Sequence, residues 1–408
     1  MVTSLAPAGF TRPAVEALSE RLGDPRWMRE FRLTAFDVYA RLPMPSPQDE
    51  EWRRTDLSGL PWETFAVDAE PVAGPIEIPA LPAGVIFADL RTAVARHSEL
   101  VREHFMRPVV RPEESKFRAL HAALWNGGTF LYVPPNVEVE VPLRSETWIR
   151  AEGAALFPHT LVVAGAGSRV TLIDEFGSYA GPWGAFVDGA VELILREGAQ
   201  VRYIMRQDWM AAVTEVGILR ARLARDSALH SVVVGLGGRT VKGNVESLLE
   251  GPGASSEMLG LIFGHDSQHY DLHTLQEHLA PHTLSDLLYK NAVKDHARSI
   301  FSGMIRVHPG AQKTNAFQAN RNLILSDGAK ADSIPNLEIM ANDLRCTHGS
   351  ATSRLHEEHL FYLMSRGLRR LDAVRMVVEG FFAELVDRIP LEGVRARLRG
   401  DVDRKMVQ

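Results

Sequence analysis

Apolar residues change their spacing twice along this chain, and the changes divide it into three parts. Over residues 12–42 they recur at helical spacing. RPAVEALSERLG has Pro13 near a helix start and Gly23 at its end, the asymmetry expected of helix termini. DPRWMREFRLTAFDVYARL follows, with Trp27, Phe31, Ala35 and Tyr39 four apart on one face. MPSPQDEEW then breaks regular structure and predicts an extended connector. The proline-rich stretch 60–90 supports short edge strands at most, and 91–124 returns to helical composition.

From Thr129 the period becomes two. FLYVPPNVEVEVPL alternates apolar and polar positions, as a strand with one buried face does. Similar runs recur, parted by turns at Gly167, Gly198, Asp226, Gly253, Ala280 and Gly310. The intervals are 31, 28, 27, 27 and 30 residues. A loose repeat just under 30 residues, with no helical pattern between strands, predicts a β-solenoid. One coil cannot bury its own apolar face, whereas stacked coils can, and they satisfy each other's backbone groups. A β-sandwich would need Asn-Gly or Asp-Gly hairpins about every 10 residues. Only Asp188–Gly189 and Asp327–Gly328 qualify, which favours the solenoid.

After Arg354 the helical period returns. HEEHLFYLMSRG ends at Gly367, a plausible left-handed terminus. The next helix, 371–389, carries two apolar faces. Ala373, Val377, Gly380 and Phe381 lie along one, and Val374, Val378, Phe382, Leu385 and Ile389 along the other, before Pro390 stops it. The expected organisation is an N-terminal helical and irregular region over 1–124, a β-helix core over 125–354 and a C-terminal helical domain over 355–408. Helices at both ends of a solenoid would cap its exposed strand edges. Val374, Val378, Phe382 and Leu385 have nothing evident to cover within so short a domain, which predicts a docking face for a partner.

Composition narrows the function. The 408 residues carry 45 basic and 51 acidic side chains, a net charge of −6, which argues against a general nucleic-acid binder and gives no polybasic membrane signal. Its first residues lack a basic start with a continuous apolar run, and no segment reaches the roughly 18 apolar residues of a membrane helix. A cytoplasmic protein is expected. The single cysteine, Cys346, excludes an intramolecular disulfide and any all-cysteine metal site within one chain.

Candidate chemistry is sparse. GLGGRTVKG (235–243) lacks the Gly-Lys-Ser/Thr ending of a phosphate loop and predicts a tight turn. There is no G-x-S-x-G elbow and no H-E-x-x-H zinc helix; HEEH sets its histidines three apart. His265, His269, His273, His278 and His282 form the densest polar cluster. Pairs four apart (269/273, 278/282) would share one side of a strand, so joint ligation and a wet face or protein contact both fit. In NDLRCTHGS, Cys346 and His348 are two apart and would emerge on one strand face. Thiolate and imidazole suit iron or zinc, but two ligands are too few, so a metal here would need others from a second chain.

The run from Arg298 to Leu368 closely resembles the SufB/SufD family of the SUF iron–sulfur cluster assembly system. Its marks are F-x-G-x-I-x-V, A-Q-x-T-x-A-x-Q-x-N-x-N-L-x-L-S, P-x-L-E-I, C-x-H-G and L-F-Y-L-x-S-R-G. Upstream, EWRRTDL, GGTFLYVPPNVEVEVPL and HLAPHTLSDLLYK are also similar, so the resemblance spans nearly the whole chain. The E-W-R-x-T-D-L entry and C-T-H-G segment resemble the SufD branch; SATSRL and the L-M-S-R-G ending resemble SufB.

The resemblance implies a right-handed parallel β-helix between helical regions, and a scaffold without turnover of its own. It implies pairing with a SufB-like protein through the β-helix and docking of a SufC-like ABC ATPase by the C-terminal helices. His348, with Cys346 beside it, would be the interfacial residue. A transient iron–sulfur cluster or iron would sit at that interface, with none tightly bound to the isolated chain. Other readings are a SufB paralogue, a β-helix polysaccharide-acting enzyme and a structural solenoid that forms a homodimer when alone. The missing secretion signal and unpaired acids weigh against the enzyme.

Overall fold

A computed structural model describes residues 9–67, 72–76, 80–179, 181 and 184–407. Residues 1–8, and the 68–71 and 77–79 parts of the proline-rich stretch, lie outside the described residues. The protein is mainly β: a parallel solenoid of about eight turns, with helices before and after it. Successive strands alternate between two sheets, so each coil gives one strand to each. In one sheet Arg169 pairs with Gln200, Gln200 with Ala228, then Ser255, Leu284, Asn315 and Arg345 in turn.

That register corrects two turn positions. Left-handed backbone recurs two residues before the first six of these strands, at Gly167, Gly198, Asp226, Gly253, His282 and Lys313. The last two are therefore His282 and Lys313, not Ala280 and Gly310. A search for small turn residues misses them, because the stacked backbone imposes positive φ even on a side chain that disfavours it.

Every second residue of each strand points inward. Val191, Leu219 and Val245 stack in one interior column, and Leu172, Tyr203 and Met258 belong to another. The outward faces are apolar too. Phe186, Ala190, Ile194, Val216 and Ile218 on one sheet pack against the N-terminal helices Arg12–Leu22, Arg26–Arg41 and Lys116–Leu124. On the other sheet, Ile204, Val232, Val234, Leu259, Leu261 and Phe263 pack against Arg370–Asp387 and Glu392–Val407.

This overturns the docking assignment made from the sequence. Val378, Phe382 and Leu385 are buried against the chain's own solenoid, with Phe382 1% exposed, and Val374 packs partly buried beside them. The physical reason is that these strands are apolar on both faces, so the helix has a sheet to cover.

The helices clad the sheets and do not cap the ends. At the start, antiparallel strands close the stack: Ile86–Asp89 on Gly127–Val133, and Val72–Ile76 on Leu143–Ile149. Pro75 in the latter cap removes one backbone donor from the edge. At the far end, Lys330–Ile339 and Arg345–Arg354 are the last strands of their sheets. Phe382→Ala should lower unfolding free energy by about 3–5 kcal/mol in urea titrations; a value within experimental error of wild type would show that the helix does not depend on this contact.

Candidate functional site

The last coil exposes side chains that lie buried one coil earlier. Ile305 and Leu337 share an interior column, as do Val307 and Ile339, yet exposure rises from 0% to 37% and from 0% to 44%. On the facing sheet, Ala316 and Gln318 are buried, whereas Cys346 stacked on the first is half-buried and His348 on the second is exposed. Phe317 and Met340 add exposed apolar surface to the same rim. Leu337, Ile339, Cys346 and His348 occupy core positions of a stack that has no further coil, while Phe317, between two inward residues, faces outward.

Cys346 and His348 thus share the inward face of Arg345–Arg354, two residues apart. Cys346 packs near Ile305, Val307 and Ala311. Burial pushes its thiol pKa up, so a cation or a base must remove the proton before the sulfur can act as a ligand. Among the described residues no cluster of three or more His, Cys, Asp or Glu is arranged to hold a metal ion. Ligation by this pair would require groups from a second molecule.

The upstream histidines do not converge. His278 is the last residue of its strand and points inward, between the hydroxyls of Thr283 and Ser285 (2.8 Å each). Burial pushes its pKa down to about 4. His282 lies beyond the strand in the turn, so the 278/282 pair is separated. His265 meets Lys405 at the C-terminal helix. His269 and His273 do share an outward face, bracketing Asp271, and what they hold is protein.

There the EWRRTDL segment docks. Thr55 Oγ1 donates to Asp271 Oδ2 (2.6 Å) and lies 2.9 Å from His269 Nε2. Trp52 lies against the Lys242 ammonium, 5.1 Å from ring centre, and Lys242 Nζ donates to Asp271 (3.0 Å). Burial alone would raise the Asp271 carboxyl; the hydrogen bond from His273 and the Lys242 charge outweigh it and hold it well below its ordinary value. Burial lowers the Lys242 pKa, and Asp271 partly opposes this.

A second exposed patch escaped the sequence reading. On the helix Glu357–Ser365 only Leu360 is buried, while Phe361 is 74% exposed, with Tyr362 and Met364 also outward. Leu371 and Met376 of the next helix are exposed as well. Adjacent apolar residues in LFYLM were the available signal, since one helix face cannot bury them all.

The fold defines a parallel β-solenoid with one closed and one open end. Residues 147–381 match the family model of the SUF system FeS cluster assembly SufBD core domain, and 76–144 that of the SufBD protein N-terminal region. The chain therefore belongs to the SufBD family of iron–sulfur cluster assembly proteins. It is 33% identical to the iron–sulfur cluster assembly protein SufD of Bacillus subtilis, covering 96% of this chain and 97% of that one. A SufBD family protein of Staphylococcus epidermidis is 28% identical and SufB of Bacillus subtilis 26%, each over 94% of this chain and 90% of the relative. Among the described residues no helix is long and apolar enough to cross a membrane.

Asp271→Asn should destabilise the docked 50–57 segment by about 3–5 kcal/mol, since it leaves the Lys242 charge buried without its partner. Amide exchange in that segment should accelerate. In the wild type the Asp271 contribution is complete above the unfolded carboxylate value and fades as pH falls through its lower folded value. Exchange in 50–57 unaltered by the substitution would remove Asp271 from this role.

Proposed function

We propose that this chain is a SufD-like scaffold subunit whose open end pairs with a SufB-like chain to form the place where an iron–sulfur cluster is built. The observation that carries this reading is the exposure of Leu337, Ile339 and the Cys346–His348 face at core positions. A partner that covers them must continue both the interior columns and the edge hydrogen bonds, and another parallel solenoid of the same family has that shape. The 33% identity to a SufD over nearly full length supports the branch. Covering the rim also brings foreign side chains to Cys346 and His348, which the pair lacks in its own chain. The cluster is cargo: it is assembled and passed on, and the subunit performs no turnover of its own.

The ATPase subunit, a SufC-like protein, docks on the exposed patch of Phe361, Tyr362, Met364, Leu371 and Met376. This replaces the Val374–Leu385 face, which is occupied internally. The patch lies on the C-terminal helical region that the family resemblance assigns to ATPase docking, and large aromatic anchors are the side chains that dominate such interfaces. The working compartment is the cytoplasm.

A second copy of this chain could cover the same rim, giving an isologous homodimer. Co-purification with the SufB-like and SufC-like proteins of the same organism separates the cases. Ile339→Asp should abolish SufB pairing while changing the chain's own stability by no more than ~0.5 kcal/mol, as for an exposed site. Retained pairing would place the interface elsewhere. Phe361→Asp should weaken ATPase binding by at least 2 kcal/mol, roughly thirtyfold, and leave SufB pairing intact. Equal ATPase affinity in titration calorimetry would reject the patch.

A further inference from the structure

Behind His348 the interior turns polar, and several of its groups have no partner. Gln318 is fully buried, and neither atom of its amide hydrogen-bonds another described residue. The Oγ1 of Thr274 and Oε1 of Gln276 are likewise buried and unpaired. A buried primary amide without partners is costly, because its lost hydration is not repaid. Such a group calls for an explanation beyond packing.

The stacking shows which task. Leu287, Gln318 and His348 are consecutive in one interior column, with strands about 4.8 Å apart. Leu287 below offers no hydrogen-bonding group. On the facing sheet Thr274, Gly303 and Pro335 are consecutive. Gly303 makes room for the amide, since a Cβ there would collide with both Gln318 Nε2 and Oε1. The amide is thus held across the solenoid, with the Thr274 level on one side and the His348 level on the other. The imidazole at that level has no hydrogen-bond partner among the described residues.

We propose that Gln318 is a positioning residue for His348. Neither bond is formed in this structure; on side-chain rotation Oε1 accepts a hydrogen bond from one ring nitrogen and Nε2 donates to Thr274 Oγ1, which leaves the second ring nitrogen as a lone-pair donor toward the open end. A histidine that ligates iron needs one nitrogen unprotonated and the other N–H anchored, which fixes ring orientation and tautomer together. The value of this arrangement to cluster assembly rests on the function proposed above; the adjacency of Gln318 and His348 in one interior column does not.

The test is ¹⁵N magic-angle-spinning spectroscopy of the sedimented full chain, labelled at histidine, at pH 8 where an imidazole is neutral. The His348 signals are those missing from His348→Ala. Wild type and Gln318→Glu, which keeps the acceptor, should show one tautomer; Gln318→Leu should show the averaged pattern of a free ring. Gln318→Met serves if the leucine variant does not fold. The same pattern in wild type and Gln318→Leu overturns the proposal. In the assembled complex, Gln318→Leu should lower iron affinity about 10–100-fold. A changed tautomer with normal cluster formation in both Gln318→Leu and His348→Ala would uphold the positioning pair and refute the assembly role of His348.

Discussion

A strand in a parallel stack satisfies its backbone from the coil before it and from the coil after it, so every solenoid has to deal with two ends. This chain deals with them differently. The first coils end in antiparallel cap strands, one carrying Pro75, whereas Lys330–Ile339 and Arg345–Arg354 remain the last strands of their sheets. Everything distinctive about the molecule follows from that asymmetry. The same column that buries Val307 leaves Ile339 in solvent, and the lone cysteine and its neighbouring histidine lie on the uncovered face.

Both sheets are buried on two faces, which explains where the helices went. A two-sheet coil has outward faces as well as an interior, and here each outward face has its own apolar partner. The N-terminal helices take one and the C-terminal pair takes the other. Polar contacts fasten the cladding. Arg206 pairs with Asp401 at 2.7 Å, and buried Lys405, its pKa pushed down to about 7 by burial, reaches His265. Among the described residues, the open end and the short helix Glu357–Ser365 are two separate places where large apolar side chains remain exposed.

The interior also changes along its axis. Val191, Leu219 and Val245 give way in the same column to Thr274, Gly303 and Pro335. Asn291, Asn320 and Asn322 bond to one another in the neighbouring columns. Polar groups also stand near the closed end, where Ser145, Thr160 and Tyr203 donate to buried Asp174, so aliphatic packing is densest in the middle coils and hydrogen-bonding groups enter the interior toward both ends. Hydrogen-bonded interior groups fix side-chain orientation at a cost in apolar packing.

The sequence by itself determined the solenoid, because a repeat near 30 residues with period-two alternation has few other folded solutions, and its motifs placed the chain in its family. It also put Cys346 and His348 on one strand face, since side-chain alternation is local. Tertiary structure alone decided which face that was, and that no coil covers it. It likewise decided that Val378 and Phe382 are core while Phe361 is surface: both helices are apolar, and only the neighbouring sheet distinguishes them. His282 and Lys313 were unreadable as turns for the same reason, since their backbone is set by the coils above and below. Period and alternation are properties of a segment; burial depends on what other segments bring to it.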